Sequence, residues 1–254
     1  MWVAKSWRVH RKYNLMLHAL RMSLSMAATA LVVAGCTLAP APMLSPAPQA
    51  PAPSSTRADF NAVVARMRPV ATQVCRERNP RLDCNFVVIL DDRPNQPPNA
   101  FHTRDENGRP IIAFTIALID DLRSHDEIAL IFGHEAAHHI ADHLPRIQQQ
   151  AMTGALLGGL VAALSGVDQG TAQQIVNTGA TVGARRYSKS FELEADRLGA
   201  VIAARGGYDP LRGAQIFRRI PDPGNQFLGT HPPNAERWRE VERAVENMAA
   251  GRSI

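Results

Sequence analysis

The first clear periodicity of apolar positions lies between residues 60 and 74. Apolar residues recur there at intervals of three and four, which predicts a helix with one buried face. Pro69 lies inside the segment and lacks the backbone donor of a helical residue, so a kink or break is expected there. The repeating positions are Phe60, Val63, Val64, Met67, Val70, Ala71 and Val74.

Two features further along the chain predict a small sheet. The run Phe86-Val87-Val88-Ile89-Leu90 is apolar throughout, which is typical of a buried strand. Asn107-Gly108 lies between apolar segments at 100–101 and 111–114. Asn-Gly favours the tight turns that join antiparallel strands, so these segments are expected to form a hairpin.

A largely apolar helix is predicted to begin after Ser124. Ser124 and Glu127 have the spacing of a capping box, in which side chains accept hydrogen bonds from the backbone of the first turn. Pro145 is expected to mark the end of the helix, because proline disrupts a helix interior. The apolar face of this helix consists of Ile128, Ile131, Phe132 and Ala136.

The amino terminus has the pattern of an export signal. The first 35 residues contain five basic and no acidic residues, and a short apolar segment at 26–34 follows. This segment is too short for a permanent membrane span. Val33-Ala34-Gly35-Cys36 resembles the lipobox of bacterial lipoproteins, which implies lipidation of Cys36. Thr37 favours the outer membrane, and a cleaved signal peptide without lipid is the alternative.

Removal of residues 1–36 changes the charge of the chain. The formal charge of +5 belongs to the signal, because the remainder contains 23 basic and 23 acidic residues. Nucleic-acid binding is therefore not expected. Residues 37–57 are rich in Pro and Ala and read as a semi-extended tether, followed by one domain at 58–254. Cys75 and Cys84 could form a disulfide in an oxidising periplasm or remain free thiols.

The candidate metal-binding and catalytic residues lie in the segment His134-Glu135-Ala136-Ala137-His138. Residues four apart share a helix face, so both imidazoles can bind one metal ion. Glu135 can then take a proton from water at that metal, as the general base of a metallopeptidase does. His139 and His143 read as helix-surface residues or as residues behind the ligands.

A catalytic zinc ion usually has a third protein ligand. Glu192, Glu194 and Asp196 lie close together in the chain. Glu192 and Asp196 share a helix face and Glu194 projects elsewhere. If Glu192 binds zinc, Asp196 can accept a hydrogen bond from a ligand histidine. A solvated acidic face paired with Arg197 is the alternative.

Three spaced motifs together resemble the metallopeptidase family of the CAAX prenyl proteases and HtpX, and in particular its soluble bacterial envelope members. The motifs are His134-Glu135-x-x-His138, Glu192-x-x-x-Asp196 and His231-Pro232-x-x-x-x-Arg237, and the similarity extends from about Phe60 to Val245. The resemblance implies that Glu192, rather than Glu194, is the third zinc ligand. It also implies that His231 and Arg237 lie near the zinc and stabilise the oxyanion. His231 could instead occupy the open zinc position and hold the enzyme latent.

The segment from Ile147 to Ala184 has one charged residue, Asp168, and recurrent glycines. A bilayer span is not expected, since the apolar part covers only about 17 residues. The pattern allows a core helical hairpin between the two halves of the zinc site, a mobile cover over the cleft, or an interfacial segment that contacts membrane or substrate. Its apolar face consists of Leu156, Leu157, Leu160, Val161 and Leu164.

These patterns predict an α+β, mostly helical domain, and the resemblance implies a zincin-like (gluzincin) fold with a small sheet beside the active-site helix. The predicted function is that of a zinc endopeptidase, lipid-anchored at the periplasmic face of the outer membrane. By family analogy, its substrates are unfolded or misassembled envelope proteins. A zinc-stabilised, normally latent chaperone or assembly factor is the second hypothesis, and an inert structural lipoprotein is the third.

Overall fold

The computed structural model describes residues 57–186, 188–224 and 231–252. The export signal, Cys36 and the tether up to residue 56 lie outside the described residues. Helix α1 (Arg57–Arg78) is the predicted first helix. It continues through Pro69, so the break expected there does not occur. The reason is packing: the buried face on both sides of Pro69 belongs to one core, and it comprises Phe60, Val63, Met67, Ala71 and Val74.

The sheet has three strands, β1 (Val87–Asp91), β2 (Ala100–Arg104) and β3 (Pro110–Thr115), with β3 in the centre. Strands β2 and β3 pair antiparallel, and Gly108 adopts a φ of 81° in the turn between them. The predicted hairpin is therefore confirmed. Strand β1 pairs parallel to β3 at the edge of the sheet. Its Val88 and Leu90 are partly buried against the core, but Ile89 is 43% exposed, so the strand forms as predicted and is not fully buried.

Helix α2 (Ile116–Asp121) leads into α3 (His125–Ile140), which carries the His-Glu-x-x-His sequence. The hydroxyl of Ser124 accepts a hydrogen bond from the Glu127 N–H, as the capping pattern predicts. Helix α3 ends at Ile140, five residues before Pro145. Asp142, in the turn that follows, adopts a left-handed φ of 57°. Pro145 instead lies in the first turn of the next helix. A proline is tolerated there, because the N–H it lacks would have no helical partner.

The helices that follow complete the domain. Helices α3 and α6 pack against each other, α1 packs on α3, and α8 packs on α6. Strands β2 and β3 lie beside α3, so the mostly helical α+β fold with a small sheet beside the active-site helix is confirmed. The elements are α4 (His143–Ser165), α5 (Gln169–Arg186), α6 (Ser188–Arg205), α7 (Pro210–Gly213), a 3₁₀ helix (Ala214–Arg218) and α8 (Asn234–Ala249).

Helices α4 and α5 form a hairpin, but it is not part of the core. Its apolar side chains face outward, and Leu156 and Leu164 are 75% and 80% exposed. Of the three arrangements that the sequence left open, the core hairpin does not occur, because the two helices pack on each other rather than on the domain. Within the described parts of the chain, no helix is long and apolar enough to cross a membrane.

Cys75 at the end of α1 and Cys84 before β1 form a disulfide with Cα atoms 5.7 Å apart. The hydroxyl of Thr72 donates to the Cys84 carbonyl oxygen at 2.9 Å. Both cysteines are buried. The chain between α1 and the sheet is thereby held against the core.

A close approach of two glycines joins α3 to α6. A Cβ placed on Gly133 would lie 2.5 Å from the Gly199 carbonyl oxygen, and a Cβ on Gly199 would lie 2.7 Å from the His134 backbone nitrogen. Neither position has space for a side chain, because the neighbouring atoms belong to backbone. The two helices can therefore pack backbone to backbone immediately beside the first histidine.

Gly199→Ala should force α3 and α6 apart. We expect a loss of about 1–3 kcal/mol in the free energy of unfolding, as for other overpacked cores, together with weaker zinc binding. The matched control is Gly159→Ala, because a Cβ there would meet only the Val176 Cγ2 at 3.8 Å. Denaturant unfolding and zinc titration of both variants test this. Equal behaviour of the two variants would contradict it.

Candidate active site

His134 and His138 lie one turn apart on α3 and face Glu192 on α6. The Nε2 atoms of the two histidines are 3.0 Å apart. The Glu192 Oε2 is 3.5 Å from the His134 Nε2, and the Glu192 Oε1 is 3.4 Å from the His138 Nε2. A tetrahedral ion with ligands at about 2.0–2.1 Å requires ligand atoms roughly 3.3–3.4 Å apart. The observed separations fit such an ion.

The donor set also fits zinc. Two neutral imidazoles and one carboxylate are the ligands of many catalytic zinc sites, and they leave a fourth position open. Among the described residues, His134, His138 and Glu192 are the group whose ligand atoms lie within 4.8 Å of one another. Glu194, the alternative considered in the sequence, is turned away from this group and contacts His143.

Asp196 stands behind His134. Its Oδ1 lies 2.9 Å from the His134 Nδ1, and its two oxygens accept hydrogen bonds from the Arg237 guanidinium at 2.6 and 2.8 Å. Asp196 is 1% exposed. The carboxylate can therefore hold the imidazole with its Nε2 toward the metal position, while the arginine compensates the buried charge.

Electrostatics keep this buried group ionised. Burial by itself would raise the pKa of Asp196, but the charges of Arg237 and His134 outweigh burial and lower it. Burial likewise opposes a charge on His134, yet Asp196 raises the pKa of His134 to about 10. Glu192 behaves as Asp196 does: hydrogen bonds from three histidines overcome burial and bring its pKa well below the usual value. A metal ion bound through the His134 Nε2 would therefore have to displace a proton from this imidazole.

A second chain of contacts stands behind His138. The Nδ1 atoms of His138 and His143 are 2.8 Å apart, and the His143 Nε2 is 3.2 Å from the Glu194 Oε2. Arg146 donates to the same Glu194 oxygen at 3.1 Å. The hydrogen bond from His143 is the main cause that lowers the pKa of Glu194 to about 2. If His138 binds metal through Nε2, its Nδ1–H donates to His143, which in turn donates to Glu194.

His139 and His143 thus have different positions. His143 lies behind a ligand, as one of the sequence alternatives proposed. His139 is fully buried, and its Nε2 lies 2.7 Å from the Asp83 carbonyl oxygen. Its ring packs edge-on against Phe86 and His102. It is a core residue that ties α3 to the segment before β1, so the prediction of a helix-surface position or a position behind a ligand is wrong for His139.

Glu135 and His231 line one cleft with the ligands. Glu135 is 8% exposed, and the cleft has a volume of about 680 Å³. His231 lies at its exposed side, where its Nδ1 is 2.9 Å from the Glu192 Oε2. Asn99 and Ala100, at the start of edge strand β2, line the same cleft. The remaining wall is largely apolar and includes Leu118, Leu130, Ile131, Ile216, Phe217 and Ile220.

The fold and the site define the class of protein. A helix with His-Glu-x-x-His, a glutamate from a second helix and an open cleft beside a sheet edge form the site of a zincin-type metallopeptidase. The sequence matches Peptidase family M48 over residues 58–245. The chain therefore belongs to this family, which confirms the resemblance found in the sequence.

Curated relatives agree with this assignment. The mitochondrial metalloendopeptidase OMA1 of Arabidopsis thaliana is 28% identical over 53% of this chain and 27% of its own length. OMA1 of Saccharomyces cerevisiae is 26% identical over 64% of this chain and 46% of its own length. The beta-barrel assembly-enhancing protease of Escherichia coli is 26% identical over 49% of this chain and 28% of its own length. The chain thus covers less than half the length of each of these relatives. Their names support the prediction that this domain is a metalloendopeptidase.

Sequence reasoning did not identify Gly133 and Gly199 as parts of the site. Both lie inside helices, where glycine is less favourable than alanine by about 1 kcal/mol. A glycine at such a position needs a packing reason, and this was the available signal. The partnership of Asp196 with Arg237 was also missed, because 40 residues separate the two in the chain.

Glu192→Gln should remove most of the bound zinc, because it weakens a ligand. Glu194→Gln should leave about one zinc per chain at saturating metal, with an affinity lower by about tenfold, the low end for a partner behind a ligand. Elemental analysis after dialysis and competition with a chelator measure both quantities. Loss of zinc from the Glu194 variant alone would show that the ligand is assigned to the wrong glutamate.

Proposed function

We propose that this chain is a zinc-dependent endopeptidase of the bacterial cell envelope that hydrolyses unfolded or misassembled envelope proteins. The observation that carries this proposal is the convergence of three ligand atoms at tetrahedral spacing in the cleft that contains Glu135. Family membership and the metalloendopeptidase relatives support it.

The residues of the site would divide the reaction between them. His134, His138 and Glu192 would hold zinc, which supplies Lewis acidity and makes water acidic enough to lose a proton near neutral pH. Glu135 would take that proton on its carboxylate and deliver it to the amide nitrogen of the departing chain. Asp196 and His143 would keep the two ligand imidazoles oriented, and Arg237 would hold Asp196.

Strand β2 gives the cleft a means to bind extended chains. It lies at one edge of the sheet, and its first residue lines the cleft. An extended peptide can add to such an edge through main-chain hydrogen bonds, which makes recognition largely independent of sequence. The apolar cleft wall suits exposed hydrophobic side chains. Both features favour unfolded segments as substrates, and the name of the E. coli relative places that protein in β-barrel assembly.

Glu135→Gln tests the proposed activity. This variant should keep zinc, because Glu135 is not a ligand, and should lose hydrolysis of casein by several orders of magnitude. Glu106→Gln, an identical substitution at the exposed β2–β3 turn, serves as the control. Near-normal turnover by the Glu135 variant would remove this residue from the mechanism.

A normally latent chaperone or assembly factor is the second candidate function. It is favoured by the position of His231, whose imidazole already contacts the Glu192 carboxylate beside the metal position. An imidazole in the fourth zinc position would exclude water. We favour the alternative role, in which His231 and Arg237 stabilise the oxyanion. Arg237 lines the same cleft, and its hydrogen bonds to Asp196 use only the Nε and Nη2 atoms, so one guanidinium nitrogen would serve the oxyanion.

His231→Ala separates the two roles. Loss of an oxyanion donor should lower kcat by roughly 10²–10³, with zinc content unchanged. His125→Ala, at a half-exposed histidine on the first residue of α3, is the control substitution. If the His231 variant cleaves an unfolded substrate faster than the parent, His231 is a latch.

The proposed location depends on Cys36 and on the tether at 37–57. Cys36→Ala should abolish fatty-acid labelling and shift most of the chain from the membrane fraction to the soluble fraction or leave it uncleaved. The expected shift follows because the several acyl chains of a lipoprotein, here attached at Cys36, hold the protein firmly at a membrane. Unchanged outer-membrane fractionation without lipid would contradict lipid anchoring at this residue.

A further inference from the structure

The α4–α5 hairpin presents a continuous apolar surface to solvent. The exposed side chains follow one another at three- and four-residue intervals, so they share one face of α4 over about 18 Å. Single exposed hydrophobic residues are ordinary, but a contiguous face of this kind marks a contact site. The residues, with exposures from 54% to 80%, are Met152, Leu156, Leu157, Leu160, Val161 and Leu164.

The α4–α5 hairpin has its small residues between the two helices and its large apolar residues outside, whereas helices in water bury the large apolar residues between them. Its two helices meet through glycines, and a Cβ on Gly154, Gly179 or Gly183 would collide with backbone atoms of the facing helix. Gly154 and Gly158, like Gly179 and Gly183, have the Gly-x-x-x-Gly spacing. Helices in lipid associate through small residues in this way, because lipid provides no hydrophobic force between them. The large apolar side chains are left on the outside.

Charged residues are almost absent from the hairpin, as expected for a segment in apolar surroundings. Asp168 is the one charged residue between 147 and 184, and it lies at the turn between the helices. Its carboxylate is exposed and accepts hydrogen bonds from Gly170 and Thr171. Basic residues return only at the base of the hairpin, with Arg146, Arg185 and Arg186. Between these points the described hairpin has no charged side chain except Asp168 that could pair with a protein partner.

These observations favour one occupant. We propose that the exposed face of α4 docks flat into the surface of a phospholipid bilayer. Neither helix is able to span the bilayer, and the hydrated Asp168 carboxylate keeps the turn at the level of the head groups. The tether from Cys36 to α1 comprises about 20 residues, or roughly 60 Å in extended form. A lipid-anchored domain therefore reaches the bilayer easily.

The docked face adds a second, reversible contact to the lipid anchor. An amphipathic face of this size binds lipid weakly by itself, but together with the firm lipid anchor it fixes both the distance and the orientation of the domain. This inference rests on the envelope location under Proposed function, but it does not depend on proteolysis. Its consequence is that the hairpin, and not the lipid alone, determines how the domain stands on the membrane.

Tryptophan quenching tests the docking. The full chain with Leu160→Trp is purified from membranes and placed in phosphatidylethanolamine–phosphatidylglycerol vesicles that carry brominated acyl chains. The fluorescence that the introduced tryptophan adds to that of the parent chain should fall about twofold relative to unbrominated vesicles. An interfacial helix lies roughly 5–10 Å into the head-group and acyl boundary, where the bromine atoms quench tryptophan. The matched control is Glu242→Trp on the exposed side of α8, whose fluorescence should not change. Zinc content verifies that both variants are folded.

Three outcomes would overturn the inference. Quenching at position 160 no greater than at 242 would show that the face does not enter lipid. Protection of the position-160 tryptophan from acrylamide without vesicles, in a chain that sediments as a dimer, would assign the face to a second copy. Protection by added casein alone would assign it to substrate. Quenching that persists in the Glu135→Gln background, or in a chain without lipid on Cys36, would uphold the inference even if the proposed activity or anchor failed.

Discussion

The backbone contact between Gly133 on α3 and Gly199 on α6 is the constraint on which the site depends. It places the glutamate of one helix within reach of two histidines on the other. A side chain at either glycine would separate the helix axes, and ligand atoms about 3.5 Å apart tolerate little displacement. Because the core is close-packed, the loss of this contact would reach the metal position directly.

Two independent chains of polar contacts then orient the two histidines. His134 is held by Asp196 and Arg237, and His138 by His143 and Glu194. Both chains end on an arginine–carboxylate pair, so the carboxylate charge is compensated in each case. The first pair is almost completely buried, whereas the Arg146–Glu194 pair is partly exposed. We therefore expect the first chain to matter more for the integrity of the site.

Local chemistry made the elements around the active site predictable. The Ser124 cap, the turn at Gly108 and the histidine pair all depend on residues within a few positions of each other. The failed predictions concern features that distant packing decides. Pro69 does not break α1, because both halves of the helix bury one face in the same core. The run at 86–90 forms an edge strand, because β3 is its hydrogen-bonded neighbour on one side and the three-stranded sheet ends there.

Contacts between residues distant in the chain also limited the prediction of the site residues and of the α4–α5 hairpin. Helical spacing placed both histidines on one face, but the choice of Glu192 came from family resemblance. The contact between Glu194 and His143 could not be read from a separation of 51 residues. The composition of residues 147–184 left three arrangements open. The structure excludes the core arrangement. Glycine contacts join α4 to α5, and the leucines of α4 are left exposed to solvent.

The most direct measurement of the central claim is zinc X-ray absorption spectroscopy of the purified full chain. Convergence of α3 and α6 predicts one zinc per chain with nitrogen and oxygen ligands at about 2.0–2.1 Å, including two imidazoles. The outer-shell scattering of imidazole rings identifies the histidines. Sulfur ligation at about 2.3 Å, or a first shell without imidazole, would contradict a site formed by His134, His138 and Glu192.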